Sequence, residues 1–478
     1  MNRSRQFIPI SVVSLVALLL VIYKWAQLGL PSFWDEGFPY AYAIRYLTDH
    51  HLTILPSGMP PLYSTGHPTL FYFLSATWMK LFGIEMWHAR LFPLLISVLV
   101  LFALYRFGKT FFNPTTGMLA VILFATRAVF VAQSSQLLPE TLVTLFTILA
   151  LHSWLRNKKW TYFLWASLLV LTKESGLVLP AALCLWELVS IFRYRKLSIV
   201  AQIKNRFHTP LPFLVSALFF LIQRAEMGWY LFPRHVGAIN LDKNIVYSKL
   251  IPSMATHFFI YYGGIAISIL VVLATLIFVF RKMKLVGVQR RTIFVSLTFM
   301  ACFVAFSCIN YYSPRYILCL YPLWYTIAAF LILEAMKGVS QWIPISLIVC
   351  IALFQSYYTH FFRTIGDYDL GYVDCVTTQR DAIRWCVDNG YREKNIFAQQ
   401  QLERAMESDA AGFIHRGEEF RHVNKGFDSQ TALFIFTCTE TDPSEDEARK
   451  LNLKKLVRFE QGKAWTEIYA PADLPAKN

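Results

Sequence analysis

Charged residues are scarce in this sequence. Asp, Glu, Lys and Arg make up 16% of the 478 residues, and hydrophobic residues make up 56%. A soluble domain carries nearer to ~25% charged residues, which cover its apolar core. The shortage excludes an ordinary soluble enzyme, a coiled coil and a disordered chain. It favours a polytopic α-helical membrane protein with a soluble appendage, so the lipid bilayer is its first expected partner.

Cysteine spacing of the kind that binds metal ions is also absent. The chain has eight cysteines, and no CxxC motif occurs, which argues against a zinc site built from thiolates. Five of them lie in apolar runs, where cysteine acts as a small hydrophobic residue. The other three, Cys375, Cys386 and Cys438, lie in the polar C-terminal segment and allow one disulfide at most.

Negative charge is the minority sign. Lys and Arg number 45 against 30 for Asp and Glu, a formal net charge of +15. In a soluble protein this excess would suggest a nucleic-acid ligand. In a membrane protein it collects in the cytoplasmic loops. We therefore expect no nucleic-acid partner.

Apolar runs long enough to cross a bilayer recur along the first three quarters of the chain. A spanning helix needs ~20 mostly apolar residues, and about eleven segments approach this length. The first is interpreted as an uncleaved helix rather than a signal peptide, because Lys24 and Trp25 follow it without a small-residue cleavage site. The predicted spans are 7–28, 89–105, 116–132, 141–155, 162–171, 176–192, 211–225, 255–280, 292–309, 316–335 and 342–358.

Basic clusters between these spans predict the orientation. Arg3 and Arg5 place the N-terminus in the cytoplasm, and five basic clusters then fall in every second connection, on the same side. An odd number of spans leaves the C-terminus outside. The clusters are Arg106/Lys109, Arg156 to Lys159, Arg193 to Lys196 with Lys204/Arg206, Arg281 to Lys284 with Arg290/Arg291, and Lys337.

The chain therefore divides into two predicted parts. Residues 1–360 form the membrane part, with a first outer loop at 31–87 that contains interfacial helices near 40–51 and 69–82. Residues 361–478 have helix and strand patterns sufficient for an extracytoplasmic α/β domain. Its predicted helices are 379–388, 402–411 and 443–451, and its predicted strands are 395–399, 431–438, 453–459 and 464–469.

The predicted outer face carries ionisable residues that need a reason to lie near a membrane. Each motif alone has an ordinary explanation, such as an acidic helix start or an arginine that snorkels to the interface. Together they place carboxylates, cations and aromatic rings at one face. Such a set could hold a lipid phosphate while a carboxylate accepts the proton of an acceptor hydroxyl. The residues are Asp35 and Glu36 in WDEG, His67 in STGHP, Arg90 in WHAR, Glu140 in LPET, Lys173 in TKES, His235 in FPRH, and Arg315 and Tyr316 in SPRY.

The ordered series WDEG, GHPTLFYFLSATWMKLFG, ARLFPLL, QLLPETLVTLF, LTKESGLVLP and SPRYILCLYP resembles the membrane glycosyltransferases of the GT-C fold. It is most similar to the bacterial branch related to protein O-mannosyltransferases and to lipid A aminoarabinose transferases, which is like glycosyltransferase family 39. The resemblance covers the first three quarters of the chain, and the Asp-Glu pair of the first outer loop is its most specific feature.

The resemblance implies a sugar donor built on a polyprenyl phosphate and used at the outer face of a bacterial plasma (inner) membrane. The absence of a glycine-rich nucleotide fingerprint agrees with such a donor. The family's first acidic residue maps onto Asp35, the candidate general base, with Glu36 beside it as a second catalytic candidate. Lys173, Arg315, Tyr316 and Arg90 become candidates for lipid-phosphate binding. His67 stands where the family pattern has a lysine, so its role is open.

The residues leave several alternatives open. His67, Glu140 and His235 could contact the sugar or acceptor, or they could bind a divalent metal together with Glu36, although their spacing does not demand a metal and no other cofactor is indicated. The acceptor could be a glycan, a lipid or a protein. A transporter or flippase of lipid-linked sugars is the main alternative function, but it predicts inverted repeats that the sequence lacks. A non-catalytic scaffold is the third interpretation.

Overall fold

The computed structural model describes residues 4–193, 206–439 and 443–472. Arg195, Lys196 and Lys204 of the third basic cluster lie outside the described residues. The principal helices of the membrane part are α1 (Ser4–Trp25), α2 (Tyr42–Asp49), α3 (Leu70–Phe82), α4 (Met86–Phe111), α5 (Pro114–Ala125), α6 (Glu140–Leu155), α7 (Lys159–Thr172), α8 (Val178–Arg193), α9 (Leu211–Met227), α10 (Gly264–Phe280), α11 (Gly287–Ile309), α12 (Tyr321–Ala335) and α13 (Trp342–Phe361).

Short helical turns connect these helices. They are Trp34–Glu36, Gly37–Ala41, Pro56–Gly58, Pro61–Ser64, Ala128–Gln133, Glu174–Leu177, Pro233–Gly237, Lys243–Ser248, Lys249–Ala255, Thr256–Phe259 and Pro314–Leu320. The predicted interfacial helices near 40–51 and 69–82 correspond to the last part of the Gly37–Ala41 turn with α2, and to α3.

The helices make a multi-pass membrane protein. Among the described residues, five helices are long and apolar enough to cross a bilayer, or six if one bent pair counts as a single span. Shorter apolar helices, including Pro9–Trp25 and Glu140–Leu155, lie beside them. The count of eleven spans, which includes these shorter helices, stays a prediction.

Two predicted continuous spans are broken, and these expectations were wrong. The 116–132 helix stops at Ala125 and resumes at Ala128, because Arg127 has an extended backbone (ψ 128°). The 255–280 helix breaks at residues 260–263 and bends by 88°. The breaks face each other, since the buried Arg127 guanidinium donates to the Tyr261 carbonyl at 2.8 Å. A carbonyl freed from a helix in a membrane needs such a donor, and apolar patterning does not reveal it.

Close helix packing explains why α4 and α5 meet at glycine. A Cβ atom added to Gly108 would lie 2.5 Å from the Cα of Gly117. The two backbones therefore approach more closely than side chains allow, as is common between membrane helices. Asn113 fixes the start of α5 because its side chain accepts the Thr116 N–H at 2.8 Å, and Pro114 takes the first helical position.

Residues 371–472 contain a mixed five-stranded sheet packed with helices. The helices are α14 (Gly371–Asp388), α15 (Gln400–Glu407), the turn Asp409–Ala411 and α16 (Pro443–Ala448). The strands are β1 (Ile396–Phe397), β2 (Val423–Asn424), β3 (Leu433–Thr437), β4 (Leu453–Gln461) and β5 (Ala464–Pro471), in the order β2-β1-β3-β5-β4. β1 pairs in parallel with β2 and β3, whereas β5 pairs antiparallel with β3 and β4. The two-residue β2 was not predicted from the sequence.

This α/β unit shares its core with the membrane part. One apolar cluster joins unit residues such as Cys375 and Ile435 to Leu30 and Phe33 of the first loop and to Val131. The Ser32 N–H also donates to the Ala411 carbonyl at 2.8 Å. The α/β unit therefore packs against the first loop, which carries the WDEG motif, and helps to hold it in place.

Candidate active site

The WDEG motif forms a single helical turn, Trp34–Glu36, at the end of the segment that follows α1. Trp34 has a left-handed backbone (φ 46°), which is costly for a residue with a large side chain and is typical of functional loops. The two carboxylates of the motif have opposite environments. The Asp35 side chain is 46% exposed, whereas that of Glu36 is fully buried.

Glu36 lies in a closed, fully paired position. Its Oε2 accepts from Arg90 Nη2 at 2.6 Å and from the Phe33 N–H at 3.1 Å, and its Oε1 accepts from the Leu137 N–H at 2.8 Å. Arg90 is also fully buried and donates to the Pro31 carbonyl at 2.8 Å. These contacts fix both ends of the WDEG turn and leave neither residue exposed to a substrate.

Asp35 belongs to a second cluster, which is centred on Arg315. The guanidinium of Arg315 forms ion pairs with Asp35 and with Asp367, and its Nε lies 3.5 Å from Glu140 Oε1. Arg315 is 4% exposed. A buried guanidinium needs such partners because an unpaired charge is costly away from water.

Lys173 completes this cluster. Its Nζ donates to Glu140 Oε1 at 2.8 Å and lies 3.9 Å from the centre of the Tyr316 ring. Five predicted site residues, Asp35, Glu140, Lys173, Arg315 and Tyr316, therefore meet at one end of the bundle. Two cations face the three carboxylates of Asp35, Glu140 and Asp367.

The cations keep Asp35 ionised. Burial acts to raise the pKa of Asp35, but the charge and hydrogen bond of Arg315, followed by the charge of Lys173, outweigh it and bring the pKa below its usual value. A carboxylate held ionised and partly exposed can accept a proton, although its lowered pKa makes it a weaker base.

His67, Glu174 and His235 form a third group, with the geometry of a metal site. His67 Nδ1 lies 2.9 Å from Glu174 Oε2, and the rings of His67 and His235 have centres 4.8 Å apart. The potential ligand atoms all lie within 4.8 Å of one another. Burial, followed by the neighbouring His67, lowers the pKa of His235 to about 4, so His235 is neutral at physiological pH, as a metal ligand must be. Two histidines and one carboxylate are a common ligand set for catalytic zinc.

Asp367 and Glu174 were not among the residues predicted for the site. Glu174 adjoins Lys173 in the sequence, so its position beside the cluster could have been suspected. Asp367 lies between α13 and α14, in a segment assigned from the sequence to the separate C-terminal domain. Glu140, which was considered as a metal ligand with His67 and His235, lies with Lys173 and Arg315 instead.

Two larger cavities lie elsewhere in the described part of the chain, and no residue of the three groups lines either of them. One, of about 490 Å³, is lined mainly by aromatic residues of the bent helix and of α13, including Tyr262, Phe354 and Tyr358, and ends at Arg363 and Tyr368. The other, of about 270 Å³, lies between the first loop and the α/β unit and has a mixed lining, with apolar residues such as Met79 and Trp87 beside the polar residues Arg45, Glu85, Asp409, His415 and Arg416.

Comparison with known proteins agrees with the architecture. The family described as dolichyl-phosphate-mannose-protein mannosyltransferase matches residues 66–229. No curated protein matches the chain. These residues are a minority of the chain, but they include His67, Arg90, Glu140, Lys173 and Glu174.

Solved structures match over almost the whole chain. ArnT from Cupriavidus metallidurans in the apo state aligns with a TM-score of 0.55 and 13% identity over 95% of this chain and 97% of that one. The same protein bound to undecaprenyl phosphate gives a TM-score of 0.54 at 12% identity, over 98% of this chain and 99% of that one. The archaeal oligosaccharyltransferase AglB from Archaeoglobus fulgidus, in complex with an inhibitory peptide and a dolichol-phosphate, gives a TM-score of 0.54 at 10% identity, over 91% and 70%.

These matches establish the GT-C fold of membrane glycosyltransferases. The resemblance inferred from the sequence is therefore confirmed at the level of the fold. The family match supports a transferase that uses a lipid-linked sugar.

Proposed function

We propose that the protein transfers a sugar from a polyprenyl-phosphate donor to an acceptor hydroxyl or amine at the outer face of a bacterial plasma membrane. The observation that carries the proposal is the ion pair between the partly exposed Asp35 carboxylate and the buried Arg315, with Lys173 in the same cluster. Base and phosphate-binding cations thus lie together, as sugar transfer from a lipid phosphate requires. The undecaprenyl phosphate bound to ArnT supports the donor class.

In the proposed reaction, Asp35 accepts the proton of the acceptor as its oxygen or nitrogen attacks the anomeric carbon. The new glycosidic bond forms as the bond from that carbon to the phosphate oxygen breaks, with inversion. Arg315 and Lys173 stabilise the charge that develops on the departing polyprenyl phosphate. Arg315 exchanges part of its contact with the three carboxylates for the phosphate, which its planar guanidinium matches in a bidentate manner. Tyr316 holds Lys173 in place through the contact between the ammonium and its ring.

Glu36 and Arg90 serve as positioning residues in this proposal. The sequence suggested a catalytic role for Glu36 and phosphate binding for Arg90, but both side chains are fully buried and paired with each other. They act through the backbone of the WDEG turn, which sets the direction of Asp35.

A divalent metal ion at His67, Glu174 and His235 would complete the charge balance. The Arg315 cluster already has more carboxylates than cations, so an incoming phosphate adds negative charge to a negative site. His67, Glu174 and His235 would hold the ion, which would supply positive charge at the residue that follows Lys173 in the chain. The ligand atoms within 4.8 Å of one another support this assignment.

The two cavities suggest how the substrates are placed. The aromatic cavity at the bent helix is suited to the polyprenyl chain, because it is apolar and leads toward Tyr368, next to Asp367. The cavity beside the first loop, which has charged groups in its lining, is suited to the acceptor and gives the α/β unit a part in acceptor docking.

The decisive experiment compares cell-envelope glycans and lipids by mass spectrometry in cells with the protein, without it, and with Asp35→Asn. We expect one envelope component to lose the mass of a single sugar in the second and third strains. The control is Asp381→Asn, an exposed carboxylate of the α/β unit, which should restore the component. An unchanged envelope in the deletion strain would refute the proposal.

A further inference from the structure

Two free cysteines of the α/β unit lie in the same part of its core. Cys375 lies buried in the second turn of α14, and the partly exposed Cys438 directly follows β3. Both belong to the apolar cluster that joins the unit to the first loop.

Neighbouring contacts hold both backbones in place. Gln379, one turn after Cys375, donates to the hydroxyls of Thr437 and Thr439, each at 3.3 Å. Cys438 itself donates its N–H to the Trp465 carbonyl at 3.0 Å. A disulfide requires close, fixed backbones. The contacts of Gln379 tie α14 to the residues on both sides of Cys438.

The two thiols differ in reactivity. The hydrogen bond from Cys375 lowers the pKa of Cys438 and raises that of Cys375. Cys438 is also the more exposed of the pair. A thiolate that is accessible is the form that attacks a disulfide. Cys438 would therefore react first, and Cys375 would then resolve the mixed disulfide that Cys438 forms.

We propose that Cys375 and Cys438 form a disulfide in the mature protein, which links α14 to the end of β3. The proposal depends on the extracytoplasmic location of the unit, because disulfides persist in oxidising compartments. The oxidant is a protein disulfide of that compartment. The Cys438 thiolate attacks one of its sulfurs to give a mixed disulfide and releases the other sulfur as a thiolate. The Cys375 thiolate then attacks the Cys438 sulfur and displaces the sulfur of the oxidant that was bound to it. The oxidant leaves as a dithiol, and the two cysteines lose two electrons and two protons.

The test counts thiols in the full-length protein. Membranes are treated with N-ethylmaleimide, and the protein is denatured, alkylated again without reductant and analysed by mass spectrometry. With eight cysteines in the chain, we expect six adducts before reduction and eight after it, with a peptide pair linked through Cys375 and Cys438. Eight adducts before reduction would overturn the proposal.

Single substitutions provide matched controls. Cys375→Ser and Cys438→Ser each free one partner, so each variant should show seven adducts without reductant. Cys386→Ser removes a buried cysteine of the same core and should show five, because the proposed disulfide is intact. A linked peptide that contains Cys386 would also contradict the assignment. A cysteine introduced at Asn389 and labelled with a membrane-impermeant maleimide in intact cells tests the extracytoplasmic location separately. If the location is confirmed and the disulfide is absent, the disulfide assignment alone is wrong.

Discussion

The Asp35 carboxylate is the residue on which the proposed chemistry depends. Asp35→Asn keeps the shape of the side chain but cannot accept a proton, so we expect transfer to fall by about 10²–10⁴-fold with normal expression. The assay measures sugar transfer in isolated membranes that contain equal amounts of each variant. Turnover of the variant close to that of the parent protein would remove Asp35 from the role of base.

The pH dependence of transfer tests the same assignment. Because Arg315 and Lys173 hold the pKa of Asp35 below its usual value of about 4 despite its partial burial, the carboxylate stays ionised as the pH falls from 8 to about 5. Activity attributable to Asp35 is then lost only as the pH falls through this lowered pKa. A rate that declines in step with protonation near neutral pH would point to a histidine instead, and His67→Asn would show whether that residue is responsible.

Arg315 and Lys173 are predicted to bind the phosphate of the donor. Arg315→Ala and Lys173→Ala each remove a charge-assisted contact, worth about 1.5–3 kcal/mol, and should raise the apparent KM for the donor by at least tenfold. Arg315→Lys should recover only part of the affinity, because a point charge cannot make the bidentate contact. Donor titrations measure both effects, with Arg380→Ala on the exposed surface as the control. Unchanged titrations in both alanine variants would refute the role.

Sequence reasoning identified five members of the Arg315 cluster, and their roles stay predictions. Asp35, Glu140, Lys173 and Arg315 were recognisable because charge at a membrane face is costly and needs a purpose, whereas Tyr316 followed from the resemblance of the SPRY motif. The opposite environments of Asp35 and Glu36 were not predictable, because adjacent residues in one turn differ only once Arg90 has folded against one of them. Asp367 was not predicted, because an aspartate in a polar segment is ordinary and does not indicate a functional site.

The bent helix before α10 and its neighbour α13 are the elements proposed to accommodate the donor's polyprenyl chain. Phe354 of α13 lines the aromatic cavity, whereas Leu353 beside it is 65% exposed. Phe354→Ala should raise the KM for a long-chain donor several-fold, because apolar area buried against the chain is lost. It should affect a donor with a short polyprenyl chain less. Leu353→Ala is the matched control, and an equal effect of the two variants would place the chain elsewhere.

Helices such as α4 and α13 were predictable, because each apolar run in the sequence corresponds to one unbroken helix. The patterning failed at Arg127 and near residues 260–263, where helices break without a change in hydrophobicity. The reason lies in long-range hydrogen bonding, since the break at Tyr261 supplies a carbonyl to Arg127. Its other acceptors, the His257 carbonyl and Tyr321, also come from distant parts of the chain.

At the scale of the whole molecule, the fold brings the α/β unit against the loop that carries Asp35. Arg404 lies over the Phe38 ring at 3.5 Å, and Arg45 pairs with Asp409 at 3.2 Å. The composition of the chain changes near residue 360, but the two parts do not have independent cores. The change in composition marks where the chain leaves the bilayer. The contacts that pack the two parts together join distant residues and cannot be predicted from a local sequence pattern.

These contacts require the active cluster and the α/β unit to lie on one side of the membrane. We expect that side to be extracytoplasmic, because the basic clusters occupy every second connection. A cysteine introduced at the exposed Asn389 should react with a membrane-impermeant maleimide in intact cells, and one at Lys158, in a basic connection, should react only after the membrane is opened. Both variants would be made in a background whose native cysteines are replaced by serine or alanine. The reverse pattern would move Asp35, Lys173 and Arg315 to the cytoplasmic face together with the unit, because their contacts allow no separate placement. A donor consumed outside the cell would then be excluded, while the geometry of the cluster would be unaffected.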